Sequence, residues 1–149
     1  APAPPAAPVA APAEAPIRPV AGGWWLGTGR RKASVARVRI KPGNGAFIVN
    51  KKPHDTYFCA ERDRNDLLNV LEKTRTQGTV DVHVNVHGGG YTGQAGAIIL
   101  GLARALRRYD GSLEPILRDQ NFLTRDPRKV ERKKYGQPGA RKRFQFSKR

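Results

Sequence analysis

The residues best able to do chemistry in this sequence are the cations and aromatic rings of segment 125–149. Eleven Lys and Arg stand there against two acidic residues, which gives the segment a net charge of +9. Tyr135, Phe144 and Phe146 lie among the cations. Arg and Lys neutralise phosphates, while aromatic rings stack on unpaired bases. This combination favours RNA as the partner, and the alternative is a basic tail for solubility or localisation.

The same segment lacks the features of a unit that folds alone. It has no apolar stripe at helical or strand spacing, and the step YGQPG at Tyr135–Gly139 prevents a continuous helix. Such a segment cannot bury enough apolar surface to offset its ordering entropy. We therefore expect 125–149 to be an extended basic C-terminal tail. A short helix could start at Asp126 and Pro127 as N-cap and first helical residue. Val130 is its only sizeable apolar residue, so this helix should need RNA or protein to hold it.

Composition limits the rest of the chain. The 149 residues carry a net charge of +16, which favours an extended polyanion, nucleic acid above all, over an anionic membrane. No apolar run approaches the roughly 20 residues of a membrane-spanning helix. The single cysteine, Cys59, excludes an internal disulfide and a cysteine-based zinc site.

The segment 1–23 differs sharply in composition from the rest of the chain. Nine of its residues are Ala and seven are Pro, and it has neither the apolar run of a secretory signal nor the arginines of a transit peptide. We expect a disordered Ala/Pro-rich extension over 1–23. The sequence then predicts a globular α+β RNA-binding domain over 24–124, followed by the tail over 125–149.

Alternating residues predict the first strands of that domain. Over Ser34–Lys41 apolar residues alternate with Arg37 and Arg39, which is typical of a half-buried strand with a basic outer face. The turn Pro42–Gly45 predicts a hairpin with a second strand at Ala46–Val49. Three further cations precede the first strand, Arg30, Arg31 and Lys32, and they favour an RNA-facing surface.

Helical periodicity and a valine repeat predict the remaining elements. A helix is expected over Arg64–Thr74 with Asp63 as its N-cap, a strand over Thr79–His87, and a core helix over Thr92–Tyr109. A shorter helix should follow Gly111 and Ser112. The predicted order is therefore strand, strand, helix, strand, helix, helix and tail.

Two motifs suggest other chemistries. His83 and His87 share one strand face, but four residues of strand separate them by about 13 Å, too far for one zinc ion. No metal site or cofactor is therefore expected. Gly88, Gly89, Gly90 and Gly93 form a loop of the pattern G-x-G-x-x-G, which could contact phosphate. Nothing after the following helix resembles the second parallel strand of a dinucleotide-binding unit, so a phosphate contact or tight strand-to-helix packing is favoured over a nucleotide site.

Four segments in order resemble one known family, the universal ninth protein of the small ribosomal subunit in its bacterial type. They are GTGRRKASVARVRIKPGNG (27–45), GGGYTGQAGA (88–97), FLTRDPRKVERKKYG (122–136) and QFSKR (145–149). The resemblance implies a small sheet with helices packed on it and a left-handed βαβ crossover. It also implies a non-enzymatic ribosomal constituent of the cytoplasm. Cys59 and Phe144 stand where the family often has Gly and Pro, and Phe144 bears on the path of the tail.

The resemblance also implies partners and roles for named residues. The protein would bind rRNA and neighbouring proteins in the head of the small subunit, with no membrane partner, and its tail would support peptidyl-site tRNA. The expected rRNA contacts are Arg30, Arg31, Lys32, Arg37, Arg39, Arg128, Arg132, Lys133, Lys134, Arg141, Lys142 and Arg143. The expected tRNA contacts are Ser147, Lys148 and Arg149. A small phosphate-binding enzyme that uses the Gly88–Gly93 loop is the alternative, although the loop lacks a convincing acid/base pair or a positioned Lys.

Overall fold

The computed structural model of the protein describes residues 19–148. Residues 1–18, which make up most of the extension expected over 1–23, lie outside the described residues, as does Arg149. The described end of the extension is a turn that is closed by an isolated β-bridge between Val20 and Trp24.

The fold is α+β, as predicted, and is built on one mixed sheet of five strands in the order β1-β2-β5-β3-β4. Every neighbouring pair is antiparallel except β3 and β5, which are parallel. The strands are β1 (Trp25–Arg31), β2 (Ser34–Pro42), β3 (Phe47–Val49), β4 (Lys52–Pro53) and β5 (Val80–His87).

Helices pack against one face of this sheet and leave the other face open. On β2 and β5 the apolar members of the alternation, such as Ile40 and Val82, are fully buried among helical residues such as Leu102. The polar members face away from the helices. The helices are α1 (His54–Tyr57), α2 (Glu61–Lys73), α3 (Tyr91–Tyr109) and, after a 3-10 turn at Gly111–Leu113, α4 (Glu114–Asp119).

The predicted hairpin between Ser34–Lys41 and Ala46–Val49 is wrong, because β5 lies between β2 and β3. β5 pairs with β2 from Val35 opposite His87 to Pro42 opposite Val80. The hairpin partner of β2 is instead β1, which was not among the strands predicted from the sequence. Alternation reports which residues of a strand are buried, but it does not report which strand lies beside it.

One carboxylate of β5 stabilises the turn at Pro42–Gly45, for which the sequence predicts a hairpin. An oxygen of Asp81 accepts hydrogen bonds from the backbone N–H groups of Asn44, Gly45 and Ala46, at 2.8–3.0 Å. The bond from Ala46 is the main cause that lowers the pKa of Asp81. The turn therefore closes onto the inserted strand and starts β3 as the parallel neighbour of β5.

The helix starts also differ from prediction. Ala60 precedes α2 without a side-chain cap, and Asp63 is buried in the first turn instead of being the N-cap. Asp110, not Ser112, accepts the capping hydrogen bond of the 3-10 turn. No helix forms at Asp126 within residues 120–148, where the sequence allowed one only with RNA or protein to hold it. The carboxylate there binds Arg128 through both its backbone and its side chain, so it forms a local turn instead of a cap.

The backbones of β1 and α3 approach each other closely through glycines. A Cβ added to Gly29 would lie 1.8 Å from the carbonyl oxygen of Ala97 and 2.4 Å from the nitrogen of Gly101. A Cβ added to Gly27 would lie 2.1 Å from the carbonyl oxygen of Gly101. These are backbone atoms of a helix that cannot move aside singly. Glycine is therefore required here for space, although none of the three has a positive φ.

Two arginines of α3 complete this contact from the side. The Nη1 group of Arg104 donates to the carbonyl of Thr28 at 2.7 Å, and that of Arg108 donates to the carbonyl of Leu26 at 2.9 Å. β1 is an edge strand, so these carbonyls have no partner strand. The C-terminal half of α3 is therefore fastened along the length of β1.

We expect Gly29→Ala to destabilise the fold, because the new methyl group would have to displace the α3 backbone. The free energy of unfolding should fall by about 3 kcal/mol, at the upper end of the usual overpacking penalty. Urea denaturation measures it. Gly111→Ala is the control, since nothing lies within 4 Å of its added Cβ, and its effect should stay within about 0.5 kcal/mol. Equal stability of both variants would contradict the close approach.

Candidate nucleic-acid interface

The open face of the sheet brings three of the predicted cations together. Successive side chains of a strand point to opposite faces, so Arg30 of β1 and both Arg37 and Arg39 of β2 share one face. All three are exposed. Arg37 stands opposite Thr28 on one side and Asn85 on the other. A polyanion can thus reach a flat surface made of guanidinium groups, a hydroxyl and an amide.

The indole of Trp24 marks one end of this face. The guanidinium carbon of Arg39 lies 5.5 Å from the ring centroid, and Nζ of Lys41 lies 4.9 Å from it. The imidazole of His83 meets the ring edge-on at 5.1 Å. Cation–π contacts of this kind hold flexible cations near one position. Lys41 was not among the predicted site residues, although it continues the alternation of Arg37 and Arg39.

The other two cations of the predicted triplet do not share this face. Arg31 points to the helical side, where its Nη1 group donates to the carbonyl of Thr92 at 3.3 Å. Its Nη2 group lies 3.3 Å from a carboxylate oxygen of Asp126, and only 20% of its side chain is exposed. Lys32 is exposed in the turn between β1 and β2, with a left-handed φ of 52°.

The glycine loop packs against the start of β2. Gly88 and Gly89 have positive φ values, and the Gly88 carbonyl accepts hydrogen bonds from Ser34 Oγ at 2.8 Å and Gln94 Nε2 at 3.1 Å. A Cβ added to Gly89 would lie 2.3 Å from Ser34 Oγ. Close packing against β2 therefore accounts for two of the four glycines, Gly88 and Gly89, without any contact to phosphate.

The last two members of the loop belong to α3. Gly90 is the N-cap residue of that helix, and Gly93 is buried in its first turn. Within residues 110–148 no strand follows α3, so the second strand of a dinucleotide-binding unit is absent from that range. In the part of the chain that the structure describes, no three His, Cys, Asp or Glu side chains lie together as a metal site would require.

The tail has no helix or strand between residues 120 and 148. Its aromatic rings face solvent: Tyr135 is 93% exposed, Phe144 73% and Phe146 85%. The predicted contact residues of the described tail are also exposed, apart from Lys134, which is half-buried: Arg128, Arg132, Lys133, Arg141, Lys142, Arg143, Ser147 and Lys148. Arg149 lies outside the described residues.

The two acidic residues of the tail are paired with arginines. Hydrogen bonds from Arg128 hold the pKa of Asp126 far below its usual range. Bonds from Arg141 lower the pKa of Glu131 in the same way. Both carboxylates therefore stay ionised at neutral pH and fold the tail locally. Most of the remaining cations of the tail have no carboxylate partner among residues 19–148 and keep their charge available.

The known proteins that this chain resembles are proteins of the ribosome. The chain matches the family described as Ribosomal protein S9/S16 over residues 29–149. It is 55% identical to a small ribosomal subunit protein uS9 of Chlorobium limicola over 121 residues, which cover 81% of this chain and 94% of that protein. The uS9 protein of Borreliella burgdorferi is 55% identical over 124 residues, which cover 83% of this chain and 91% of that protein. None of the helices within residues 19–148 has the length and apolar content of a membrane span.

We expect the distal tail of the isolated protein to be mobile, because its rings are exposed and it has no core of its own. Backbone order parameters from ¹⁵N relaxation should fall below about 0.6 over Lys133–Phe146, while α3 stays near 0.85. Rigid order parameters throughout Lys133–Phe146 would contradict this expectation.

Proposed function

The chain belongs to the ribosomal protein S9/S16 family, in its bacterial type, and is by that membership a structural constituent of the small ribosomal subunit; from this premise we propose that it binds rRNA in the subunit head and supports peptidyl-site tRNA through its tail. Members of the family are structural and non-enzymatic, so the alternative of a small phosphate-binding enzyme is set aside. The proposed site is the ribosome of the cytoplasm, beside the neighbouring proteins of the subunit head.

The open basic face of the sheet carries the rRNA proposal. Helices cover only one side of the sheet. The uncovered side presents three exposed arginines, Arg30, Arg37 and Arg39. Phosphate contacts from such cations contribute affinity without base specificity. Lys32, in the adjacent β1–β2 turn, is proposed as a further rRNA contact. The Gly88–Gly93 loop at the same end of β2 is proposed as a further backbone contact to phosphate.

The tail supplies the second rRNA contact. Its proposed rRNA-binding residues are Arg128, Arg132, Lys133, Lys134, Arg141, Lys142 and Arg143, and its exposed rings are suited to stack on unpaired bases. Ser147, Lys148 and Arg149 are proposed to lie next to the tRNA. Arg149 can bind one phosphate through two parallel hydrogen bonds, whereas Lys148 acts as a compact point charge.

The finer architecture belongs to the same proposal. The connection from β3 to its parallel neighbour β5 runs through β4, α1 and α2, and we propose the left-handed sense that the family implies. We also propose the division into an extension at 1–23, a globular domain at 24–124 and a tail at 125–149. Val20 and Trp24 form a bridge across the first of these boundaries.

Binding to naked small-subunit rRNA should weaken steeply with salt. If the chain neutralises around 8 phosphates, the slope of log K against log salt should be about −6 to −7, and Arg37→Ala should make it shallower by about 0.8. Filter binding at several salt concentrations gives the slopes. Arg62→Ala is the matched control, because Arg62 is also an exposed arginine but lies on α2, away from the open face. A wild-type slope shallower than about −2 would show that charge does not dominate.

Deleting residues 147–149 should leave subunit assembly nearly unchanged, since it removes two of 28 cations, and Ser147 and Lys148 lie outside the core. Dissociation of tRNA from the peptidyl site of purified subunits should accelerate, because charge-assisted contacts contribute roughly 1.5–3 kcal/mol each when well formed and less when screened. Arg149→Ala should have a larger effect than Lys148→Ala, with Arg149→Lys between wild type and Arg149→Ala. Unchanged dissociation in subunits that assemble with the deletion would refute the tRNA role.

A further inference from the structure

We propose that Arg31 is a positioning residue that fastens the root of the tail to α3, and that it does not contact rRNA. The tail latch consists of Arg31, Thr92, Gly96 and Asp126. The inference rests on the proposed function, in which the tail binds RNA, and it changes the role of one residue within that function. The latch would fix the position at which the tail leaves the domain. It would also order the first residues of the tail before RNA binds, so that binding does not have to supply the free energy of ordering them.

The domain side of the latch results from strand alternation. Arg31 is the last residue of β1 and points to the helices, whereas its neighbour Arg30 points to the open face. The Arg31 side chain crosses α3 at Gly96, where an added Cβ would lie 2.2 Å from Cδ and 3.0 Å from Nη1. The absence of a side chain at Gly96 therefore provides the path that this arginine takes.

Beyond Gly96 the guanidinium reaches two acceptors. Nη1 donates to the carbonyl of Thr92 at 3.3 Å, and Nη2 lies 3.3 Å from Oδ2 of Asp126. Thr92 lies in the first turn of α3, where its carbonyl keeps a second lone pair for the arginine. Four-fifths of the Arg31 side chain is enclosed. An arginine that contacts phosphate needs its donor groups free, and here both terminal nitrogens face the protein.

The tail side of the latch is one carboxylate with several bonds. Asp126 accepts from the backbone N–H of Arg128 at 3.0 Å and from its Nη2 at 2.8 Å, and its side chain is 27% exposed. It therefore holds the tail backbone with one group of bonds and the domain with another. Just before it, Phe122 and Leu123 pack against the core. Beyond it Val130 is 95% exposed, so the fastening ends near Arg128.

The contribution of this latch to overall stability is small, because partly exposed ion pairs contribute little to it. Its effect is local, since it restricts the residues from which the tail starts. Releasing them should weaken rRNA binding about tenfold, the equivalent of about 1.4 kcal/mol, which is the scale of fixing the backbone of one residue.

Three variants open the latch in different ways. Arg31→Ala removes the arginine, Asp126→Asn removes the charge that it meets, and Gly96→Ala blocks its path without changing any charge. Alanine also favours the helix more than glycine does, so Gly96→Ala should fold. Arg30→Ala is the control, because it removes the same charge from the adjacent residue on the opposite face.

The first measurement is ¹⁵N relaxation of the full-length free protein. Order parameters at Asp126 and Arg128 should be near 0.85 in the wild type and in Arg30→Ala, and should fall below about 0.6 in the three latch variants, with α3 unchanged. Values below 0.6 in the wild type, or no change in Gly96→Ala and Asp126→Asn, would overturn the latch. This measurement does not involve RNA, so it stands whether or not the proposed function is correct.

The second measurement is rRNA binding as a function of salt. Arg31→Ala and Gly96→Ala should both lose about tenfold in affinity with the wild-type slope, while Arg30→Ala should make the slope shallower by about 0.8. A phosphate contact by Arg31 predicts the opposite: a shallower slope for Arg31→Ala and wild-type binding for Gly96→Ala. That outcome would overturn the proposal. A wild-type slope shallower than about −2 would instead refute the electrostatic rRNA binding, and the relaxation data alone would then decide on the latch.

Discussion

The close contact between β1 and α3 is the constraint on which the rest of the structure depends. Gly27 and Gly29 leave no side chain between the strand and the helix, so the helix backbone lies directly on the strand at Gly101. The short distance between the backbones of β1 and α3 fixes how far α3 extends over β2, where the apolar core lies. It also fixes where the side chain of Arg31, the last residue of β1, contacts α3. A looser contact would move the core and the root of the tail together.

Strand alternation then divides the cations between two tasks. Arg30 and Arg31 are neighbours in sequence and have equal charge, but one faces the open side of the sheet and the other lies against the helices. On β2 the exposed Arg37 and Arg39 share the open face, because the buried Val38 between them faces the helices. Charge density in the sequence is therefore a poor measure of charge available to RNA. Position within the pleat decides whether an arginine is exposed on the open face or bonded within the protein.

Periodicity in the sequence predicted the elements that bury regular faces, β2, β5 and α3, and it placed Arg37 and Arg39 on one surface. It did not find β1, because glycines replace the residues that would show alternation there. It paired β2 with β3, since a turn between two apolar runs carries no information about a strand that arrives about 30 residues later. The role of Trp24 on the basic face depends on ring contacts with residues of two strands, β2 and β5, which no local pattern contains. Family resemblance, borne out by the comparisons, supplied the ribosomal context that periodicity could not.

The hydrogen bonds that Arg104 and Arg108 make along β1 reduce the number of free backbone groups at that edge of the sheet. A free sheet edge offers unpaired N–H and carbonyl groups on which another chain can add a strand. Arg104 and Arg108 occupy the carbonyls of Thr28 and Leu26 on one edge. The opposite edge, β4, is two residues long and includes Pro53, which has no N–H to donate. At both borders of the sheet, fewer backbone groups are therefore left to pair edge to edge with another chain.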